Sequence, residues 1–217
     1  MGMEYSRSEP RLLAETREWW VVDKPARWLS VPGRSDQPVV IEWLRERYGD
    51  AWVVHRLDEE TSGVLLFARS ADAHQRACLW FSEHSVTKRY EFLAAGHPRL
   101  PVFRVDLPVE EKPSVTQFEV LERFSSFSVP VFLGRARPVT GRRHQIRVHL
   151  SKSGFPILGD TRYTGASELA EAGGHQPGLA IGRVALHARS LALPTGESFE
   201  SPWPQDFSEW VAQCRRS

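Results

Sequence analysis

The stretch His55-Arg56-Leu57-Asp58-Glu59-Glu60-Thr61-Ser62-Gly63 is a polar turn set between two apolar runs, Ala51-Trp52-Val53-Val54 before it and Val64-Leu65-Leu66-Phe67-Ala68 after it. Apolar runs of four or five residues rich in Val, Leu and aromatics read as buried strands. A turn between two such strands holds its side chains at a sheet rim, where a ligand can reach them. Asp58 and Arg56 therefore have the placing of functional groups, although an Asp beside an Arg in a turn is also a common solvated ion pair.

A second constellation lies downstream. Thr140-Gly141-Arg142-Arg143-His144-Gln145-Ile146-Arg147-Val148-His149-Leu150 is followed by Gly154-Phe155-Pro156-Ile157-Leu158-Gly159-Asp160-Thr161-Arg162-Tyr163. It falls within a segment from Arg123 through Gly159 that holds no Asp or Glu but contains Arg135, Arg137, Arg142, Arg143, Arg147 and Lys152. In a chain whose formal net charge is only +1, this asymmetry predicts a local phosphate-facing surface.

Composition bounds the remaining possibilities. A chain of 217 residues, 41% hydrophobic, is long enough to bury a core and short enough to be one domain. Its two cysteines, Cys78 and Cys214, form no C-x-x-C pattern, which favours a reducing compartment over a disulfide framework or a thiolate metal site. No apolar stretch approaches membrane-spanning length, and the first seven residues lack the apolar centre of a secretory signal. Gly2 and Ser6 meet only the short, common pattern for myristoylation.

Along the chain, Trp19-Trp20-Val21-Val22 reads as a strand ended by Pro25, and residues 1–17 as an edge or poorly ordered segment. A helix is predicted over Pro38 to Tyr48, closed by Gly49, and another over Ala71 to His84, capped by Ser70. Thr87 to Gly96 is strand-like, with Tyr90 and Phe92 on one face. Pro98 to Pro113 reads as a surface excursion. Val115 to Phe124 and Phe127 to Arg137 are predicted to form a hairpin around Ser125-Ser126. Thr140 is placed to cap a helix that carries Arg143 and Arg147 on one face and ends near Gly154. A short helix is expected at Glu168 to Ala172, within a small-residue excursion from Gly165 to Gly178, and a last helix at Asp206 to Cys214.

The two constellations resemble the signatures of the RluA family of pseudouridine synthases, H-R-L-D-x-x-T-S-G and G-R-x-H-Q-I-R-x-H followed by G-x-P-I-x-G-D-x-x-Y. The resemblance runs from about Val21 to the Pro202-to-Phe207 region. Asp23 to Arg34 is similar to the family's K-P-x-G-L-x-V-x-P element, with Arg27 where a glycine is usual. It implies an α+β catalytic fold with a mixed, largely antiparallel sheet flanked by helices and loops. It also implies one domain over 1–217, without the S4-like RNA-binding domain many relatives carry. The implied activity is isomerisation of uridine to pseudouridine in structured rRNA or tRNA, in the cytoplasm, by a monomer needing no cofactor, metal or protein partner.

The resemblance also implies roles. Asp58 matches the essential aspartate, Arg147 its charge partner, and Tyr90, in Lys88-Arg89-Tyr90, the aromatic that stacks on the target base. Leu186 matches the apolar floor of the base pocket, and Arg56 can fill the stack vacated by an extruded uridine. His55, Leu57, Thr61, Lys88, Arg142, Arg143, His144 and Gln145 complete the expected substrate-binding set, with Lys24 and Arg34 as further phosphate contacts. A carboxylate buried in such a pocket stays ionised only beside a cation or hydrogen-bond donors. At about 4 Å and an effective dielectric near 20, a cation contributes on the order of 4 kcal/mol. An Asp58–Arg147 pair is therefore predicted.

Two rival readings remain open at this stage. A metal-dependent hydrolase could use His55, Asp58, His144, His149, Asp160 and His187, although His144 and His149 are five apart where a zinc helix uses four. A non-catalytic RNA-binding module explains the basic segment, yet leaves Asp58 opposing the phosphates it would bind.

Overall fold

The computed structural model describes residues 8–33, 35–125, 127–169 and 179–216. Its strands are β1 (Arg11–Glu15), β2 (Trp19–Lys24), β3 (Trp52–Val53), β4 (Ser62–Ala68), β5 (Thr87–Ala95), β6 (Val102–Asp106), β7 (Val115–Phe124), β8 (Val131–Pro138), β9 (Glu168–Leu169), β10 (Leu179–Ala180), β11 (Leu186–Ala192) and β12 (Ser198–Glu200). Among the described residues, four α-helices accompany them: α1 (Val40–Tyr48), α2 (Ala71–Ser82), α3 (Gln145–Lys152) and α4 (Gln205–Arg216).

Among the described residues, ten strands form one sheet in the order β1-β2-β4-β11-β5-β8-β7-β6, with β3 on β4 and β12 on β11, while β9 and β10 pair separately. Every named pairing is antiparallel except β4 with β11. The fold is therefore α+β with a mixed, largely antiparallel sheet. The unbroken apolar runs of β2 and β4 exist because both faces of this half-sheet are covered. Trp20, Val22, Leu65 and Phe67 pack with α1, and Trp19, Val21, Leu66 and Ala68 with α2. In the other half, Phe92, Phe118 and Phe132 pack with Ile146 and Leu150 of α3 and with Phe207, Trp210 and Val211 of α4.

The parallel seam explains the last residue of the first signature. Gly63 has φ 117, and a β-carbon there would lie 2.2 Å from the carbonyl oxygen of Ala188 on β11. Only glycine permits β4 and β11 to meet this closely. That meeting brings the Asp58 turn beside Leu186.

Several expectations are corrected. Part of the supposed excursion after Pro98 is β6, an edge strand whose Phe103 and Val105 are less exposed than their neighbours and which pairs with β7. The β7–β8 hairpin closes at Phe124 and Val131, since Pro130 has no N–H to extend the ladder. Thr140 does not cap α3. Its hydroxyl donates to Gln145 Oε1 and accepts from the Val115 N–H, and the N-cap position is taken by His144 in a left-handed conformation. Arg143 thus precedes the helix and is exposed, whereas Arg147 is 6% exposed, so the two do not share a face. Glu168–Leu169 is a strand rather than the start of a helix, because its backbone pairs with Leu179–Ala180. The remainder of that predicted helix, 170–172, lies outside the described residues, as do 1–7 and Arg34.

Candidate active site

A groove of about 1320 Å³ opens over the β4–β11–β5 region, lined by the Asp58 turn, the start of β5, the loop before α3 and the loop around Ser30. Of the fifteen residues expected from the sequence to meet the substrate, thirteen line it: Asp58, Tyr90, Arg147, His55, Arg56, Leu57, Thr61, Lys88, Arg142, Arg143, His144, Gln145 and Leu186; Lys24 does not, and Arg34 lies outside the described residues. Lining is not the same as facing a ligand, and the hydrogen bonds separate the two.

The Asp58 turn is fastened from three sides. The Thr61 N–H donates to the Asp58 carbonyl at 3.1 Å, closing the turn. Ser30 Oγ accepts from the Leu57 N–H at 3.0 Å and donates to the Leu57 carbonyl at 2.9 Å. Lys24, fully buried, donates Nζ to the carbonyls of Pro25 and Glu59 at 2.9 and 3.0 Å. Lys24 is therefore no phosphate contact. Burial, with the charge of Arg183 added, pushes its pKa down to about 7 against the pull of Asp58, Glu60 and Glu59.

Within this frame the Asp58 carboxylate stays partly exposed. Arg147 Nη1 lies 3.8 Å from Oδ2 and His144 Nε2 lies 3.8 Å from Oδ1. The predicted ion pair is present, but Arg147 is not held by Asp58. Its Nε and Nη2 make a bidentate pair with Asp160 at 2.6 and 2.8 Å, both side chains being buried. That geometry fixes the guanidinium and leaves Nη1 directed to the pocket.

Tyr90 lies on β5, opposite Ala188 of β11 and Ala136 of β8. Burial first, and Asp58 second, raise its phenol above the ordinary value, so it stays protonated at neutral pH. Leu186 is 3% exposed and forms part of the floor. Arg56 and Arg143 are exposed at the rim, and burial lowers the pKa of Lys88 from its ordinary value.

Other expected contacts are turned inward. Gln145 uses its whole amide on the protein, accepting from Thr140 and the Arg142 N–H and donating to Val115 and Thr116. His55 stacks on Phe81 and accepts from the Leu66 N–H at 3.0 Å. Desolvation, then Lys88, hold its pKa at about 3, and it is a neutral splint between the turn and β4. Leu57 and Thr61 are buried. Sequence reasoning missed four contributors: Ser30; Asp160 as the brace of Arg147; Arg162 at the rim; and Arg183, which binds Asp206 at 2.7 and 2.9 Å and reaches the Glu60 carbonyl at 3.4 Å. Asp160 and Tyr163 were visible as motif letters, but nothing in their spacing named their partners.

Among the described residues, no three His, Cys, Asp or Glu side chains converge as metal ligands. His149 is bonded to Thr116 and Leu107, and His187 to Ser62 and Ser201.

The fold is shared with solved RNA pseudouridylate synthase domains. The sequence model of the family described as RNA pseudouridylate synthase matches residues 18–152. The dual-specificity RNA pseudouridine synthase RluA of Escherichia coli K12 is 34% identical over 95% of this chain and 100% of its own length. The protein of the same name from Haemophilus influenzae is 34% identical over 86% of this chain and 89% of its own. Among solved structures, human RNA pseudouridylate synthase domain containing 1 superposes with a TM-score of 0.71 at 27% identity, covering 96% of both chains. Human RNA pseudouridylate synthase domain containing 4 does so with a TM-score of 0.73 at 23% identity, over 94% of this chain and 92% of that one. The chain belongs to the RluA family of RNA pseudouridine synthases, which are isomerases.

Proposed function

We propose that this protein, as a single catalytic domain acting as a monomer in the cytoplasm, isomerises uridine to pseudouridine in a structured loop of rRNA or tRNA. One observation carries the reading: Asp58 stands in the groove with a braced guanidinium 3.8 Å from one of its oxygens. The reaction breaks the C1′–N1 bond, turns the base and rejoins it through C5, with no net redox change and no cofactor. It needs an ionised carboxylate at the sugar or base during cleavage, and Asp58 is that group.

The target uridine leaves its stack to reach Asp58, at a cost of a few kcal/mol. Arg56, exposed beside the turn, fills the gap with its flat guanidinium. Tyr90 stacks on the base over the Leu186 floor, while Arg142, Arg143 and Lys88 contact phosphates. Asp58→Asn tests the assignment because it removes the charge and keeps the shape. Release of tritium from RNA labelled at uridine C5 is expected to fall below detection, with RNA affinity within about threefold of wild type. A variant that still isomerises uridine defeats the reading. Mapping pseudouridines in cells with and without the protein identifies the target.

A further inference from the structure

His144 occupies the N-cap position of α3, yet its side chain makes no capping bond and its φ is 54, a conformation that a β-carbon disfavours. The imidazole is turned into the groove instead. Nδ1 lies 3.0 Å from the Tyr163 hydroxyl, the two rings meeting edge to face, and Nε2 lies 3.8 Å from Asp58 Oδ1. Arg147 faces the other oxygen, and the Tyr163 ring also lies 5.1 Å from the Arg147 guanidinium. Each oxygen of Asp58 thus has a different neighbour, and Tyr163 touches both.

The geometry points to His144 as a positioning residue for Asp58, with Tyr163 fixing its tautomer. A neutral imidazole has one donor and one acceptor nitrogen. When the Tyr163 hydroxyl donates to Nδ1, the ring proton resides on Nε2 and is aimed at Oδ1. The bond closes as the nucleoside seats, a tightening common to catalytic contacts that are long in the free enzyme. The carboxylate is then gripped at both oxygens and presents one orientation to the sugar. The groups facing the ring agree with a neutral state: burial, Arg147, Arg143 and Arg162 disfavour its charged form, and Asp58 alone among them favours it. This inference rests on the proposed role of Asp58.

The test compares single-turnover tritium release from C5-labelled tRNA and rRNA transcripts by His144→Gln, His144→Asn, His144→Leu and Tyr163→Phe, each checked for a wild-type melting profile. Glutamine carries a non-titrating N–H donor to about the depth of Nε2. Asparagine suits the left-handed backbone better but stops short. Leucine and asparagine variants are expected to be about tenfold or more slower, as for loss of a hydrogen bond to a charged group, with glutamine within about threefold of wild type. RNA affinity should stay within about twofold throughout, and Tyr163→Phe should lie between the two groups.

Wild-type rates in His144→Leu, equal rates for glutamine and asparagine, or losses confined to RNA affinity would each overturn the inference. Activity in Asp58→Asn would instead overturn the reading on which it rests, whatever the His144 variants do.

Discussion

At the scale of single residues, the Arg147–Asp160 pair governs the site. An arginine tied only to a partly exposed aspartate at 3.8 Å would sample many rotamers, and the bidentate contact with buried Asp160 removes that freedom. Asp160→Asn is expected to lower stability by roughly 3 kcal/mol in urea titrations, because it leaves a buried guanidinium short of its counter-charge. On the proposed function it should also slow single-turnover isomerisation at least tenfold, by freeing Arg147 to move away from Asp58. A stable variant with wild-type rates would show that the brace is dispensable. The Asp58–Arg147 meeting was legible from the two signatures. The brace was not, because Asp58 and Asp160 are equally good partners on paper and only geometry ranks them. Lys24 carries the same lesson: its charge suggested a phosphate contact, whereas its burial makes it a tie on the Asp58 turn.

Elements were most legible where a local rule specified them. Ser70 accepts from the Ala73 N–H to start α2, and Gly49 follows the last residue of α1, as their residue types predict. The N-terminus of α3 follows no such rule, since the Thr140 hydroxyl is taken by Gln145 five residues on and, across the fold, by the Val115 N–H. The β4–β11 seam is the element on which the site most depends. Gly63→Ala would drive a β-carbon into the Ala188 carbonyl at a backbone conformation that alanine disfavours. A destabilisation on the order of 3–5 kcal/mol is expected, read as lost soluble yield and a lowered melting temperature. A normal melting temperature would show that the seam can open without unfolding the domain.

For the molecule as a whole, burial of neutral histidines makes stability depend on pH. His55 and His187 are held down to about 3 and about 4, chiefly by desolvation, against an ordinary value of 6.5. Below 6.5 the unfolded chain takes up protons that the folded chain refuses, so stability is full above that pH and is lost as pH falls toward 4. The fully buried His187 alone should lose on the order of 1–2 kcal/mol by pH 5, measured as a lower urea midpoint than at pH 7. An unchanged midpoint would mean that His187 is protonated in the fold. By itself the sequence determined the α+β class, most of the strands and helices, and the residues gathered around one groove. Apolar runs, caps and signature motifs are local, and such features act over a few residues wherever the chain goes. Tertiary structure alone decided which of those residues face a ligand and which hold the groove together. Hydrogen-bond partners and burial follow from contacts between segments far apart in the chain, and side-chain chemistry admits several partners until the fold leaves one within reach.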